Sequence, residues 1–325
     1  MPQGQPHSPR LSTRPHPESA ATHDLVKTSV VIVALGEDPR VAQALRSLQE
    51  QRSGVECVVV HHAVQEETSV RGADGVLHLR TRANRGFAGG FNRGLAATEA
   101  AFVLSLNPDA SLAPGALDAA RALLESDARC GAVALRLVRP DGVTLDSAGI
   151  ALGWLRRGRD RGIGQVAAGA FAAIESVDAA CMAAALFRRT ALEEARDGAG
   201  EVLDERFFAY KEDVDLGWRL RRAGWSILYL PEAVAIHERG WKEGARREVP
   251  QSLRTLSLGN RWLTIFKNES VSGALVRAVP WLAQEVLLAA WLLLSEPRSL
   301  AGYAHALRGL GGSLCRRKPR GKSAP

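Results

Sequence analysis

SVVIVALGEDPRVAQALRSLQEQRSGVECVVV, residues 29–60, decides the fold class. Its opening run, SVVIVAL (29–35), is continuous and rich in β-branched residues, the pattern of a strand buried on both faces of a parallel sheet. Gly36 and Pro39 end that run, and Val41, Leu45 and Leu48 then recur at helical spacing. VECVVV (55–60) repeats the buried-strand pattern. A strand, a helix and a second strand in this order make a βαβ unit.

Outward from there the alternation continues. VLHL (76–79) predicts a short third strand, FNRGLAATEA (91–100) a helix and FVLSL (102–106) a fourth strand. A helix near 114–126 and the strand GAVALRLV (131–138) follow. The spacing predicts an α/β protein with an open, doubly wound, mostly parallel sheet. Ligands of such sheets lie beyond the carboxyl ends of the strands, so the turns there are where chemistry belongs.

Three of those turns carry unusual residues. RTRANRGFAGGFNRGL (80–95) has Gly86, Gly89 and Gly90 ahead of a helix. They permit close backbone approach, and free N–H groups with a positive dipole end attract an anion. Arg80, Arg82 and Arg85 add charge suited to a diphosphate. The spacing matches neither the dinucleotide fingerprint nor a P-loop, and packing alone also produces glycine-rich turns. In LNPDA (106–110), Asp109 either holds a divalent cation on phosphate oxygens or caps the helix opening near Pro114.

The third passage is LDERFFAYKEDVDLGWRLRRAGWSILYLPEAVAIHERGW (203–241). Asp204, Glu205, Glu212, Asp213 and Asp215 put five acids into twelve positions, among Phe207, Phe208, Tyr210 and Trp218. Acids interleaved with that many aromatics fit a cleft better than a solvated face. Leu216, Arg219 and Leu220 predict a helix starting near Glu212, which sets Glu212 and Asp213 in its first turn. There the dipole favours the ionised carboxylate that a general base requires. His237, beyond the following strand, is either structural or completes a metal shell with Asp109.

Together these segments resemble glycosyltransferase family 2, especially its rhamnosyltransferase-like bacterial branch. The matching residues are SVVIV (29–33), NRGFAGGFNRGL (84–95), LNPDA (106–110), LDERFFAYKEDVDLGWRLRRAGW (203–225) and H-x-x-G (237–240). The resemblance implies a GT-A fold, a Rossmann-like αβα sandwich, and inverting transfer from a nucleotide-sugar donor with Mg²⁺ or Mn²⁺ on the diphosphate. It implies that Asp109 and His237 hold the metal. It further implies that Arg85, Gly86, Gly89, Asn107 and Asp109 bind the donor, and that Asp213 is the base with Glu212 beside it. Asp178 and Asp215 are expected on the acceptor. The acceptor class implied is a glycan or lipid-linked intermediate of cell-wall or surface polysaccharide.

This chain departs from the family pattern in three places. His61-His62-Ala63 stands where relatives carry an acid that reads the base or ribose. Ala34-Leu35-Gly36 ends the first strand where a more polar sequence is usual, and Cys181-Met182 replaces a small pair. A catalytically degenerate sugar-nucleotide-binding relative and a membrane-tethered scaffold of a polysaccharide assembly machine are the competing readings.

Composition sets the outer limits. The chain has 325 residues, with 42 Lys and Arg against 35 Asp and Glu, a net charge of +7. A hydrophobic fraction of 46% with 24% charged residues excludes global disorder. Four scattered cysteines form no disulfide or zinc framework and fit a reducing, cytoplasmic compartment. Arg316, Arg317, Lys318, Arg320 and Lys322 supply five of the excess charges, and this argues against nucleic acid as a partner. The tail follows AVPWLAQEVLLAAWLLL (278–294), whose longest uninterrupted apolar run is nine residues. A span needs about 20, so the stretch reads as a core helix or one lying on a membrane. The expected layout is a disordered leader (1–27) and a catalytic domain (28–270). That domain divides into a nucleotide-sugar half (28–140) and an acceptor half (141–270). A helical extension (271–325) follows, peripheral on an anionic membrane through 278–322.

Overall fold

The computed structural model describes residues 28–51, 54–167, 169, 171–240 and 246–318. The expected leader, along with Arg320 and Lys322 of the tail, lies outside them. The opening βαβ unit is β1 (Thr28–Leu35), α1 (Val41–Gln49) and β2 (Val55–His62), with β1 and β2 parallel from Thr28↔Val55 to Leu35↔His62. Next come β3 (Thr68–Arg71), β4 (Leu77–Thr81), α2 (Gly86–Ala96), β5 (Phe102–Leu106), β6 (Ala110–Leu112), α3 (Ala116–Ser126) and β7 (Cys130–Val138). The second half holds β8 (Leu145–Ser147), β9 (Ile150–Leu152), β10 (Gly158–Asp160), β11 (Glu175–Ser176), β12 (Ala184–Arg188), α4 (Arg189–Glu194), α5 (Glu212–Arg222) and β13 (Ser226–His237). Three helices close the described chain: α6 (Gln251–Asn268), α7 (Val271–Ser295) and α8 (Ala301–Cys315).

The main sheet runs β11-β13-β7-β12-β5-β1-β2-β4-β3, with β6 on β13 and β8 on β7. β4, β2, β1 and β5 are parallel, as are β7 and β13. The strand expected to follow β5 in a simple parallel series, β7, is separated from it by β12, which runs antiparallel to both. Val30, Ile32, Val59 and Leu104 face one core, with Leu117 and Leu124 of α3. Val31, Phe91, Val103, Phe187, Leu216 and Tyr229 face the other. With both faces covered, strand residues are apolar at every position rather than every second one. β3 and the β9–β10 hairpin went unread because TSVR and GRD lack that run.

α2 begins at Gly86, five residues before the helix expected from FNRGLAATEA. Gly90 and Gly94 let it lie on the sheet: a Cβ there would come 2.4 Å from a methyl of Val33 or Val31. The glycine-rich segment is therefore the first turns of a helix rather than a loop ahead of one.

α6 and α8 cross so closely that a Cβ on Gly259 would lie 2.8 Å from the Gly302 carbonyl. α7 spans 25 residues and is long and apolar enough, by length and composition alone, to cross a membrane. It starts upstream of the stretch read from sequence, and it is not a core helix. Its inward side is anchored by polar groups at four-residue steps. Arg277 donates to the Trp154 carbonyl at 2.8 Å, and Trp281 to the Leu155 carbonyl at 3.1 Å. Glu285 accepts from Arg261 at 2.6 Å and from the Tyr303 hydroxyl at 2.7 Å. Its outward side exposes Leu275, Val276, Val279, Leu282, Val286, Leu287, Leu293 and Leu294, each more than half accessible. A water-facing helix normally carries the opposite pattern.

Candidate active site

The site collects at the carboxyl ends of the central strands. Asp109 lies in the turn between β5 and β6, and β6 pairs antiparallel with β13 so that His237 stands opposite Ala110. That pairing carries the His237 Nε2 to 3.4 Å from Asp109 Oδ1, while the Glu238 amide donates to the Asp109 carbonyl at 2.8 Å. The other ring nitrogen, Nδ1, lies 2.7 Å from a carboxylate oxygen of the buried Asp146. Burial opposes a charge on this imidazole, but hydrogen bonds to Asp109 and Asp146 outweigh it and raise its pKa to about 9.

One imidazole nitrogen and one carboxylate facing each other, with a second carboxylate fixing the ring from behind, form a donor set that fits a divalent cation. Arg40 reaches the second oxygen of Asp109 at 3.3 Å and is itself bound by Asp38. Asn107 turns the chain here, its amide donating to the Ala183 carbonyl at 2.8 Å and its carbonyl accepting from Ala110.

Arg239, two residues past His237, contacts Asp146 at 2.9 Å and Asp160 at 3.3 Å. Asp160 in turn adds repulsion at Asp213, so a relay of charges joins the Asp109–His237 pair to the first turn of α5. α5 starts at Glu212, as its pattern implies. Burial dominates at both acids and raises their pKa values, with Asp160 repelling Asp213 and Asp213 repelling Glu212. The dipole argument for a readily ionised pair is thereby overturned: desolvation wins. Oε2 of Glu212 has no hydrogen-bond partner among the described residues.

The chain enters α5 through Phe208, Tyr210 and Lys211, all at positive φ, at 60°, 71° and 72°. Such backbone costs about 1 kcal/mol or more per residue unless the surroundings enforce it. Here Asn260, fully buried on α6, donates from its amide nitrogen to the carbonyls of Phe207, Ala209 and Tyr210 at 2.7, 3.0 and 2.9 Å. His305 of α8 meets its Oδ1 at 3.1 Å. Gly86 completes the packing: it sits at φ 66°, and a Cβ would come 2.2 Å from the Phe208 carbonyl.

The remaining residues expected from sequence divide. Arg85 is exposed at the start of α2, 3.7 Å from Glu205, and Gly89 faces the same pair. Asp178, expected on the acceptor, is partly exposed and already engaged within the fold. One oxygen accepts from the Leu152 amide at 2.7 Å and the other pairs with Arg221, so it braces β9 against α5. Asp215, also expected on the acceptor, is fully buried and bound by Arg219 at 2.8 Å, Lys267 at 2.9 Å and Asn268 at 2.7 Å. Helical geometry turns it away from Asp213, two residues earlier.

Asp197, Glu201 and Asp204 also cluster closely enough to suggest a cation site. Lys267 contacts Asp197 at 3.1 Å and Asp204 at 3.3 Å, and Arg316 contacts Asp197 at 3.0 Å and Glu201 at 2.5 Å. Their charge is already met by protein cations. Arg316 is thereby engaged within the fold, Arg317 donates to the Glu269 carbonyl, and the exposed Lys318 donates to the Glu194 carbonyl.

The histidines replacing the usual acid after β2 also have local work. His62 bridges toward the Ala83 and Gly86 carbonyls, each at 3.1 Å, and holds the entry to α2. His61 lies 3.0 Å from His78 and 3.6 Å from Glu37, an acid supplied by the turn after β1 instead. Asp146, Asp160, Arg239, Asn260 and Glu37 were not read from the sequence. Only the H-x-R spacing of His237 and Arg239 offered a local signal.

The architecture is that of the GT-A glycosyltransferases. It resembles the S. aureus TarS 1–349 crystal structure in complex with UDP-GlcNAc, with a TM-score of 0.57 at 13% identity, covering 89% of this chain and 81% of that one. A structure of GalNAc-T7 with UDP, GalNAc and Mn²⁺ has a TM-score of 0.54 at 12% identity, covering 75% of this chain and 48% of that one. The family model described as "Glycosyltransferase like family 2" matches residues 26–263, and the chain belongs to that family. It is similar to the N-acetylglucosaminyl-diphospho-decaprenol L-rhamnosyltransferase of Mycobacterium tuberculosis (strain CDC 1551 / Oshkosh), at 30% identity over 184 residues. That match covers 51% of this chain and 60% of the relative, so it spans less than two thirds of the relative's length.

Proposed function

We propose that this chain is a metal-dependent, inverting glycosyltransferase that moves a sugar, rhamnose by resemblance, from a nucleotide-diphosphate donor to a hydroxyl of a lipid-linked acceptor. The observation that carries this reading is the meeting of Asp109 and His237 at 3.4 Å, joined through Asp146, Arg239 and Asp160 to the acids opening α5. The relative named above supports a rhamnose donor and a lipid-diphosphate acceptor. The UDP-containing neighbours support a nucleotide sugar, and Mn²⁺ in one of them supports the metal.

In this mechanism Asp109 and His237 would hold Mg²⁺ or Mn²⁺, which would supply positive charge to the departing diphosphate. Arg85 and the amino end of α2 flank the same diphosphate. Asp213 accepts the proton of the acceptor hydroxyl as that oxygen bonds to the anomeric carbon. The carbon–oxygen bond to the diphosphate breaks on the opposite side, and its electron pair leaves with the nucleotide. One displacement inverts the anomeric configuration. Burial makes Asp213 a stronger base than an exposed aspartate, which suits proton removal from an alcohol. Residues 28–140 supply the donor half and 141–270 the acceptor half. The outward apolar side of α7 supports a position on the cytoplasmic face of the cell membrane, in cell-wall or surface polysaccharide synthesis.

Donor binding and hydrolysis across a panel of UDP-, GDP- and dTDP-sugars, with and without Mn²⁺, test this. Asp213→Asn should lower turnover by about 10²–10⁴-fold with donor binding retained, and Asp109→Asn should abolish the Mn²⁺ response. Full turnover by Asp213→Asn would refute the base. Donor binding without turnover by the wild-type chain would favour the degenerate relative.

A further inference from the structure

At the root of α7 lies an open cavity of about 400 Å³, lined by Arg156, Trp218, Arg222, Asn268, Glu269 and Arg277 among others. We infer that this cavity binds the diphosphate head of the lipid-linked acceptor, while the outward side of α7 receives its hydrocarbon chain. The inference rests on the proposed acceptor class and assigns it a place.

Charge is the first support. Three arginines face one carboxylate, and Glu269 is already held by Arg156 at 2.6 Å and Arg277 at 3.6 Å. The lining keeps a cationic excess that complements a diphosphate. α7 adds its amino end: Ser270 accepts from the Gly273 amide at 3.0 Å, and Ser270, Ser272 and Gly273 border the cavity. The Arg156 guanidinium carbon sits 4.8 Å from the centre of the Trp218 ring, which forms one wall.

An independent sign of a ligand is Asn268. It is only 6% exposed and lines the cavity, yet its Oδ1 accepts no hydrogen bond among the described residues. Its amide nitrogen is committed to Asp215 at 2.7 Å and the Thr264 carbonyl at 3.0 Å. That oxygen is closed to solvent in this arrangement, and a small turn of the side chain toward the cavity would let it accept from a hydroxyl of the sugar next to a lipid diphosphate.

Position is the third support. Trp218 of the cavity wall stands on α5, the same helix that carries the proposed base Asp213 in its first turn. On the other side of the cavity Val276, 68% exposed, borders it and leads into Val279, Val286 and Leu287 along α7. An amphiphile can thus lie with its charge among arginines and its chain on apolar surface.

Co-sedimentation of the full chain with three kinds of vesicle tests this: phosphatidylcholine alone, phosphatidylcholine with phosphatidylglycerol, and phosphatidylcholine with a polyprenyl diphosphate at matched charge. The polyprenyl diphosphate should bind best, and inorganic pyrophosphate should compete. Arg277→Gln with Arg222→Gln should weaken that preference about tenfold. Val276→Glu, an exposed substitution that leaves the fold intact, should do the same by placing a negative charge at the mouth. Equal binding to phosphatidylglycerol and polyprenyl diphosphate, or indifference to Val276→Glu, would overturn the inference. Its failure is separable from that of the proposed function: sugar-nucleotide turnover with an indifferent cavity sinks only the former. Selective polyprenyl diphosphate binding without sugar-nucleotide binding sinks only the latter.

Discussion

Glu212 and Asp213 share one helical turn, but burial gives them a common problem. Each carboxyl has a pKa raised by desolvation, so the folded chain holds these protons more tightly than the unfolded one. Stability from them is full below the ordinary carboxylate range and declines as pH rises above it. Glu212→Gln should therefore stabilise the protein, by about 1–3 kcal/mol at neutral pH. The gain should grow with pH in thermal melts across pH 5–8, a window set about the ordinary value of 4.5 and the raised one. A lower melting temperature for the variant would contradict the burial argument. With Asp213 as the proposed base, the acid limb of kcat/KM should lie above the ordinary aspartate value of 3.8. At this scale the sequence was informative about identity and silent about energy. Asp109, His237 and Asp213 stand out by residue type and spacing. Which acids are desolvated, and that Asp178 and Asp215 are bound by arginines and a lysine, depends on chain segments far away in sequence.

Among the elements, the approach to α5 is controlled from the carboxyl-terminal helices. The two amide hydrogens of Asn260 are shared among the carbonyls of Phe207, Ala209 and Tyr210, on a backbone that takes positive φ. Asn260→Ala should lower kcat by about tenfold or more with little change in the donor KM, because it loosens the base and not the diphosphate site. Asn260→Asp should be worse, having no amide hydrogens to donate. A uniform fall in stability with kcat preserved would mean that Asn260 is only structural. Helices and strands with a clean period were legible: β1, α1, β2, β5 and the start of α5 appear where the pattern puts them. The insertion of β12 between β5 and β7 was not, because strand order is set by a pairing between distant segments. The helical character of the glycine-rich segment was hidden for a related reason. Gly90 and Gly94 are tolerated within α2 only because a larger side chain would strike the sheet.

Across the whole molecule, α8 is tied to the rest by charge. Lys267, 1% accessible at its side chain, meets Asp197, Asp204 and Asp215, and Arg316 joins from the end of α8. Removing one member of a buried ionic cluster leaves the others uncompensated. Lys267→Met should cost about 3–5 kcal/mol, read as a lower urea midpoint. Cutting the chain at residue 270 should also destabilise what remains, since Arg316 leaves with α8. An unchanged urea midpoint for Lys267→Met would show that the acids find other partners. The net charge of +7 was legible from composition, but its distribution was not. Part of what looked like a free basic tail is spent inside the fold.

If α7 seats the protein on a membrane, as proposed, its outward apolar side has a kinetic consequence. An enzyme seated by that side shares a two-dimensional phase with a lipid-linked substrate. Its rate should then follow the acceptor's mole fraction in the bilayer, and diluting the bilayer with inert lipid should slow it even when bulk acceptor concentration is held constant.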